Sequence, residues 1–398
     1  MTIIIFSALL SLAVFLEGIG IPYDRKIPLY LLLSLPYVLF ILNRKWKIEL
    51  PRTLKILFGG FLFFSLVSTL LSPNVRTSIE YLFLYTSAFL FFVYIINNKE
   101  QIERFMLPLI FAFSALFVIY SLALPALIRT FPFLEPQFGY QVVFSKFFSH
   151  NHLGDFLLLP LVMLFYYLLS NRNSTNNRSI IYYLLSIILF LPYFLFSFSR
   201  SAYLALFLTL VLMVAGLVRT KMFKFSLPAV ILLVFSLLLP LLFIFSVVQR
   251  YDYSLSSRIS YLLTNRYGLE YKEESGNRLE YLSQSFLSIR KNPLFGTGPG
   301  NFIEASNKFK GNYSTPTETA HNVFLEMLVE NGVLAGIVFV FLIFELLRRS
   351  QRNVYFYMAL GLLINFQTDY TYRIYFLFVL FFILLGLAYK EGSIDDRL

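Results

Sequence analysis

The sequence predicts an all-α, polytopic membrane protein with about twelve transmembrane helices and one long loop outside the membrane. Two observations support this fold class. First, apolar residues make up 58% of the 398 residues, charged residues only 14%, and the mean hydropathy is +0.71, whereas soluble domains carry roughly 25% charged residues. Second, most apolar runs are continuous over about 17 to 22 residues, the length that a helix needs to cross a bilayer. Because a backbone in lipid must satisfy its own hydrogen bonds, we expect these runs to be helices.

The predicted spans follow the apolar runs in chain order. They are 2–22, 27–42, 56–72, 77–96, 105–125, 152–169, 180–198, 202–218, 226–247, 321–347, 354–368 and 374–389. The first run has no basic segment before it and no convincing cleavage site, so we interpret it as a span and not as a signal peptide. The chain therefore divides into transmembrane helices in 1–247, a polar loop in 248–320, and further helices with a tail in 321–398.

The distribution of basic residues predicts the orientation of the chain. Alternate connections, beginning at Arg44–Lys55 and ending with the tail after Ala388, carry 17 Lys and Arg, whereas the other short connections carry 7. Since cytoplasmic connections are rich in Lys and Arg, we expect both termini in the cytoplasm and residues 248–320 on the opposite face.

Composition also limits the chemistry that the chain can perform. There are no cysteines, so disulfides, thiolate metal sites and thiol nucleophiles are excluded. The net charge of +11 does not indicate nucleic-acid binding, because the 248–320 loop is nearly balanced, with nine Lys and Arg against seven Asp and Glu. Membrane lipids are the surroundings that this composition implies, and no nucleic-acid partner is expected.

The three histidines all lie on the predicted outer side. His321 has the best context, because Thr317 or Thr319 could cap a helix whose first turn would carry the imidazole at the edge of the membrane. A neutral imidazole can accept a hydroxyl proton near pH 7. The alternative is a histidine that is merely hydrogen-bonded at a helix start. His152, in the motif SHNH with His150, could suggest a metal, but the spacing is poor for zinc and no metal site is predicted.

Two arginines are candidates for binding an anion. Arg200 lies between apolar runs in SFSRSAYLAL, so we expect it to face a partner or a wet cavity, or to reach the headgroups as a helix-end anchor. Arg278 begins RLEYLSQSFLSIRK, where Leu282, Phe286 and Ile289 recur at helical spacing with polar residues such as Gln284 opposite.

This segment predicts an interfacial helix with its apolar face toward the membrane. The glycine turn GTGPG at 296–300 resembles a phosphate-binding loop only superficially, since it lacks the Lys-Ser/Thr ending. We therefore interpret it as a tight turn that sets the angle between this helix and the rest of the loop.

Several of these segments together resemble a known family. SFSRSAYLA, RLEYL, KNPLFGTGPGNF and HNVFLEMLVENGVLAG, with NHLGDFLLLPL upstream, are similar to the O-antigen ligase and Wzy-type polymerase superfamily of bacterial envelope glycosyltransferases. The ligase pattern Arg-three residues-Leu is met by Arg278 and Leu282. The pattern His-Asn-nine residues-Gly is met by His321, Asn322 and Gly332. Three positions later the chain has Ala335, with Gly336 following, which is a mild departure from the pattern.

The resemblance implies a GT-C-like fold in the bacterial inner membrane, with the active site in the long loop on the periplasmic face. It implies metal-independent, inverting transfer of a glycan from undecaprenyl diphosphate to a sugar hydroxyl of lipid A-core, without a cofactor. His321 would activate the acceptor hydroxyl, and Arg200 and Arg278 would bind the diphosphate. Asn322 and His152 are further candidates for contact with substrate. Asp369 and Arg373 could orient His321 or bind sugar, or form a plain surface pair.

Three other functions remain open at this stage. A polymerase that lengthens the glycan on its lipid carrier shares the same motifs. A polysaccharide or lipid transporter or flippase would show charged residues or broken helices near the midplane, of which Glu17 and Glu345 are the main candidates. A metal-dependent glycosyltransferase would need acidic ligands in the first outer loop, where only Asp24 stands.

Overall fold

The computed structural model describes residues 27–42, 50–130, 150–170, 177–197, 199–223, 231, 234, 278–310 and 316–390. Over these ranges the chain is helical, and its only extended pairings are two isolated β-bridges, Ser170 with Phe223 and Ser350 with Tyr389. The all-α prediction is therefore confirmed for this part of the chain.

The described ranges contain twelve α-helices. They are α1 (Ile27–Leu42), α2 (Arg52–Leu70), α3 (Val75–Asn97), α4 (Lys99–Thr130), α5 (His150–Leu169), α6 (Asn177–Phe196), α7 (Arg200–Arg219), α8 (Arg278–Lys291), α9 (Phe302–Phe309), α10 (Val323–Arg348), α11 (Val354–Asn365) and α12 (Tyr375–Ala388). A short 3-10 turn, Thr371–Arg373, joins α11 to α12.

Ten of these helices coincide with predicted spans, and α8 and α9 lie in the polar loop. Six helices, α2, α3, α4, α5, α7 and α10, are long and apolar enough to cross a membrane, whereas α1, α6, α11 and α12 are apolar but shorter. The predicted spans 2–22 and 226–247 lie outside the described residues, apart from 231 and 234. The count of twelve crossings thus stays a prediction.

Helix α12 forms the centre of the bundle, and every one of its residues is buried. It packs between α3 and α11, while α5 packs against α6, α7 and α11, and α2 packs along α10. The outer faces of α2, α6, α7 and α10 expose large apolar side chains, for example Phe63 at 60% and Phe344 at 62%. Such faces are expected to contact lipid, since a soluble protein would bury them.

Four of the predicted cytoplasmic connections meet at one end of the bundle, which we call the basic end (Lys99, Thr220, Arg348–Asn353 and Lys390). Lys99 Nζ donates to the Tyr389 carbonyl at 2.7 Å, and Lys390 N donates to the Arg349 carbonyl at 3.0 Å. The opposite end carries the residues around His321, and we call it the histidine end. The basic and the candidate functional residues therefore lie at opposite ends of the same helices.

Helix α10 is broken at Gly332, where φ is 83° and ψ is 166°. The sequence predicted one continuous span here, so the break is a correction. It frees the carbonyls of Val329 and Glu330, which accept from the glycine turn at Thr297 N (3.0 Å) and Gly298 N (2.8 Å). A Cβ on Gly332 would lie 2.1 Å from the Leu294 carbonyl oxygen, so only glycine allows the turn to approach this closely.

Candidate functional site

His321 lies between two aromatic side chains at the histidine end. Its ring stacks on Tyr281 of α8, with centroids 5.3 Å apart and planes 10° apart, and meets Tyr370 edge-on at 5.2 Å. Its backbone has a φ of 54°, a conformation that is uncommon for residues other than glycine. Because non-glycine residues in such conformations cluster at active sites, this φ supports a functional role.

The imidazole of His321 is neutral at physiological pH. Burial lowers the pKa of His321 from 6.5 to about 4; the Asp369 carboxylate raises this pKa, and the guanidinium groups of Arg278 and Arg373 lower it. The Nδ1 atom is buried and has no hydrogen-bond partner among the described residues. The site thus holds an uncharged imidazole, the form that can accept a proton.

Asp369, whose carboxylate raises the pKa of His321, is hydrogen-bonded to the start of α7. Ser201 Oγ donates to Asp369 Oδ2 at 2.7 Å, and Ser201 and Ser199 hydroxyls are 2.9 Å apart. Ser199 is also the N-cap of α7, since its side chain accepts from Ala202 N. Its hydroxyl then reaches Asp155 of α5 at 3.4 Å, and the Asn365 amide of α11 donates to the same carboxylate oxygen. Polar contacts therefore join α5, α7 and α11 directly beside the histidine.

The two candidate arginines lie at the starts of two helices that border this site. Arg278 is the first residue of α8, is exposed, and is close enough to His321 to affect its pKa. Arg200 is the first residue of α7, is exposed, and lies between Ser199 and Ser201. Both guanidinium groups are therefore open to a ligand, at the N-terminal ends of helices where an anion is favoured.

Helix α8 differs from the prediction on its polar side only. Tyr281, Gln284 and Ser288 are buried against the bundle, whereas Leu282 and Phe286 are 36% and 58% exposed. The exposed apolar side chains fit a face directed at lipid. Gln284 was expected on the solvated face and is instead buried, because α8 packs on α9 and α10 through that side.

The side chain of Arg373 is 12% exposed and pairs with two buried carboxylates of α10. Its Nε lies 2.5 Å from Glu326 Oε1, and its Nη2 lies 2.5 Å from Glu330 Oε1. The Tyr372 hydroxyl also donates to Glu326. Asp369 is likewise buried, at 2% exposure, so the interpretation of Asp369 and Arg373 as a surface pair is wrong. Arg373 contacts the carboxylates of the broken helix, which keeps the 3-10 turn beside His321.

The glycine turn binds a carboxylate of the protein itself. Gly300 N and Phe302 N donate to the two carboxylate oxygens of Glu330, at 2.7 and 2.8 Å. Because Glu330 occupies these donors, the turn does not present them to a phosphate. The segment is a tight turn, as predicted, and its hydrogen bonds to Val329 and Glu330 hold it against α10.

Asn322 and His152 have defined structural contacts. Asn322 is the N-cap of α10, where its side chain accepts from Leu325 N at 3.0 Å, so the cap is Asn322 and not Thr317 or Thr319. His152 is buried in the first turn of α5 and meets the ring of Tyr370 edge-on at 5.3 Å. Tyr370 therefore lies between two histidines.

The described part of the chain contains no candidate metal site. Within those residues, no group of three or more His, Asp or Glu is placed to hold an ion. The metal independence of the reaction stays a prediction.

Several residues of the site were missed by sequence reasoning. They are Tyr281, Tyr370, Asp155, Glu326, Glu330 and Tyr372. For the three carboxylates a signal existed, because ionisable residues inside apolar runs are rare and usually paired or functional. The tyrosines gave no signal, since the sequence contains 27 of them.

Comparison with known proteins gives an independent result. No curated protein sequence matches the chain. Residues 185–340, from α6 through the glycine turn and into α10, match the family model described as O-antigen ligase. This region contains Arg200, Arg278 and His321. The match covers less than half of the chain, and it confirms the resemblance of this region to the O-antigen ligase and Wzy-type polymerase superfamily.

Proposed function

We propose that this protein is an O-antigen ligase of the bacterial inner membrane, with its histidine end on the periplasmic face. It transfers a glycan from undecaprenyl diphosphate to a sugar hydroxyl of lipid A-core, with inversion and without a metal ion. The observation that carries the proposal is the neutral imidazole of His321 beside the exposed guanidinium of Arg278.

The chemistry follows from these two groups. His321 takes the proton of the acceptor hydroxyl as its oxygen attacks the anomeric carbon, and the bond between that carbon and the diphosphate oxygen breaks. The diphosphate leaves with additional negative charge. Arg278 and Arg200 stabilise it through paired N–H donors, which a guanidinium fork can direct at two phosphate oxygens. Asp369 stabilises the imidazolium that forms on His321.

The test uses purified protein, a lipid-linked glycan donor and a lipid A-core acceptor. His321→Ala should reduce the transfer rate by at least about a hundredfold and leave donor binding intact, because the arginine contacts do not depend on the imidazole. Transfer by the unmodified protein should persist in excess EDTA. Substantial transfer by His321→Ala would remove the proposed base.

Arginine variants test the diphosphate contacts separately. Arg200→Lys and Arg278→Lys keep the charge and lose the fork, so each should lower the transfer rate and weaken donor binding. Arg290→Lys is the matched control, because Arg290 is exposed near the other end of α8 and should show unchanged transfer. Equal activity in all three variants would make Arg200 and Arg278 helix-end anchors.

A polymerase is the second candidate. It is favoured by Ala335, which departs mildly from the small residue that the ligase pattern has at this position. A null strain separates the two. Loss of a ligase strands long glycans on the lipid carrier beside bare lipid A-core, whereas loss of a polymerase leaves lipid A-core with single repeat units. The second outcome would refute the ligase assignment.

A further inference from the structure

A cleft at the basic end has two adjoining compartments of different polarity. The larger one, of about 900 Å³, lies between α7, α10 and α11 and has apolar walls that include Leu212, Phe344 and Leu360. The smaller one, of about 520 Å³, is lined by polar and basic residues that include Asn353 and Lys390. Thr220, Arg348 and Arg352 line both compartments. We call the two compartments together the basic cleft.

Among the described residues, the basic side chains that line the basic cleft outnumber the carboxylates that pair with them. Arg348 donates to Glu345 from two nitrogens, each at 2.7 Å. Arg219 and Arg352, in contrast, have no ion-pair partner among the residues that the structure describes, and Arg352 lies over the Phe356 ring at 4.2 Å. The described lining residues include no Asp or Glu. An anion is therefore favoured here over a zwitterion, whose ammonium group would find no carboxylate among the described lining residues.

The apolar compartment lies beside surfaces that are expected to face lipid. Val211 of α7 is 49% exposed, and Phe341 and Phe344 of α10 are 59% and 62% exposed. Both helices are long and apolar enough to span a membrane. A ligand in this compartment can therefore enter from the bilayer, and the apolar walls suit an acyl chain.

A buried hydroxyl in the apolar compartment also lacks a partner. Tyr357 is 1% exposed and lines the compartment, and its Oη has no hydrogen bond among the described residues. A Cβ on Gly216 would lie 2.1 Å from this oxygen. The absence of a side chain at Gly216 thus leaves room for the Tyr357 hydroxyl in the wall of the apolar compartment.

We propose that the basic cleft binds an anionic phospholipid, with the phosphate between Arg219 and Arg352 and an acyl chain in the apolar compartment. Free phosphate would contact only the basic residues and would leave the apolar walls of the larger compartment empty. The proposal needs a membrane-embedded bundle and does not depend on the transfer reaction at the opposite end.

The test is lipid binding to the delipidated full-length protein in detergent, followed by native mass spectrometry. Dioleoylphosphatidylglycerol should bind at least tenfold more tightly than dioleoylphosphatidylcholine. Arg219→Gln with Arg352→Gln should weaken phosphatidylglycerol binding by about thirtyfold, since each basic residue near an anionic headgroup contributes about 1 kcal/mol. Phosphatidylcholine binding should change little.

The matched control is Lys55→Gln with Arg104→Gln, which removes two exposed charges outside the basic cleft, in connections also predicted to be cytoplasmic. It should bind phosphatidylglycerol normally. Arg219→Lys with Arg352→Lys keeps both charges and should retain most of the affinity, which also checks folding. Ala215→Phe should narrow the apolar compartment and weaken phosphatidylglycerol binding without changing any charge.

Three results would overturn the proposal. The first is equal affinity for the two lipids. The second is an equal loss in the control variant. The third is displacement of phosphatidylglycerol by millimolar inorganic phosphate, which would indicate a simple anion site.

Discussion

At the scale of single residues, the protonation state of His321 sets the pH range in which it can act as a base. Its pKa of about 4 lies below the ordinary 6.5 because the ring is buried. Between these two values the unfolded chain binds a proton that the folded chain does not. The contribution of this group to stability is therefore complete above about pH 6.5 and is lost as the pH falls toward 4.

The first prediction concerns the pH dependence of catalysis. The acidic limb of kcat/KM should lie near pH 4 and not near 6.5, because the free enzyme needs the neutral imidazole. Arg278→Gln should move this limb upward, since Arg278 lowers the pKa, and Asp369→Asn should move it downward, since Asp369 raises it. Transfer rates measured from pH 3.5 to 8 test this. A limb that stays in place in both variants would show that another group titrates.

At the scale of elements, the break in α10 lets the glycine turn bind to the helix beside Glu326 and Glu330. The first piece of α10 presents Glu326 and Glu330, one helical turn apart, to Arg373 and the backbone of the turn. The family pattern thus acquires a physical meaning. His321 is the candidate base, Asn322 is the cap, and Gly332 ends the first helical piece.

The second prediction concerns this break. Gly332→Ala should destabilise the protein by at least about 3 kcal/mol, because a φ of 83° with a ψ of 166° is nearly restricted to glycine and the Cβ would meet a backbone carbonyl. Gly59→Ala is the control, since no atom lies within 4 Å of its Cβ and alanine favours the helix. Thermal unfolding followed by circular dichroism should show a lower midpoint for Gly332→Ala only. Equal midpoints would contradict the assigned break.

The third prediction concerns the buried ion pairs of α10. Arg373→Met should cost about 3 to 5 kcal/mol, because two buried carboxylates lose their cation. Arg348→Met should cost less than about 1 kcal/mol, because the Arg348 side chain is 58% exposed and Glu345 keeps Arg349. Chemical unfolding of both variants in the same detergent makes the comparison. A similar cost for both would show that the Arg373 pairs contribute no more than a surface pair.

At the scale of the whole molecule, two chemically different ends are held apart by one helical bundle. His321 lies just before the first residue of α10, Val323, whose N donates to the Phe366 carbonyl at 2.9 Å. Arg349 lies just after the last residue of the same helix. A reporter fused after Arg349 should therefore be cytoplasmic and one inserted near Lys308 periplasmic, as the basic residues predict. Reporter activity at both sites in cells tests this. A cytoplasmic reading at Lys308 would reverse the predicted orientation of the site.

Sequence alone located ten of the described helices, because apolar runs of this length and composition have few alternatives in a membrane. It also indicated the region of the site, since Arg200, Arg278 and His321 fall within the matched family segment. It did not reveal the break at Gly332, because glycine is common in membrane helices and its backbone angles depend on what packs beside it.

The contacts that build the site were decided only by tertiary structure. Arg373 pairs with residues 43 and 47 positions away, and Ser201 bonds to an aspartate 168 positions away. Such distant pairs leave no local pattern, because burial and charge pairing depend on which helix ends meet. Hydropathy and charge therefore determined the fold class and the predicted orientation of this protein, whereas the packing of helix ends determined which side chains surround His321.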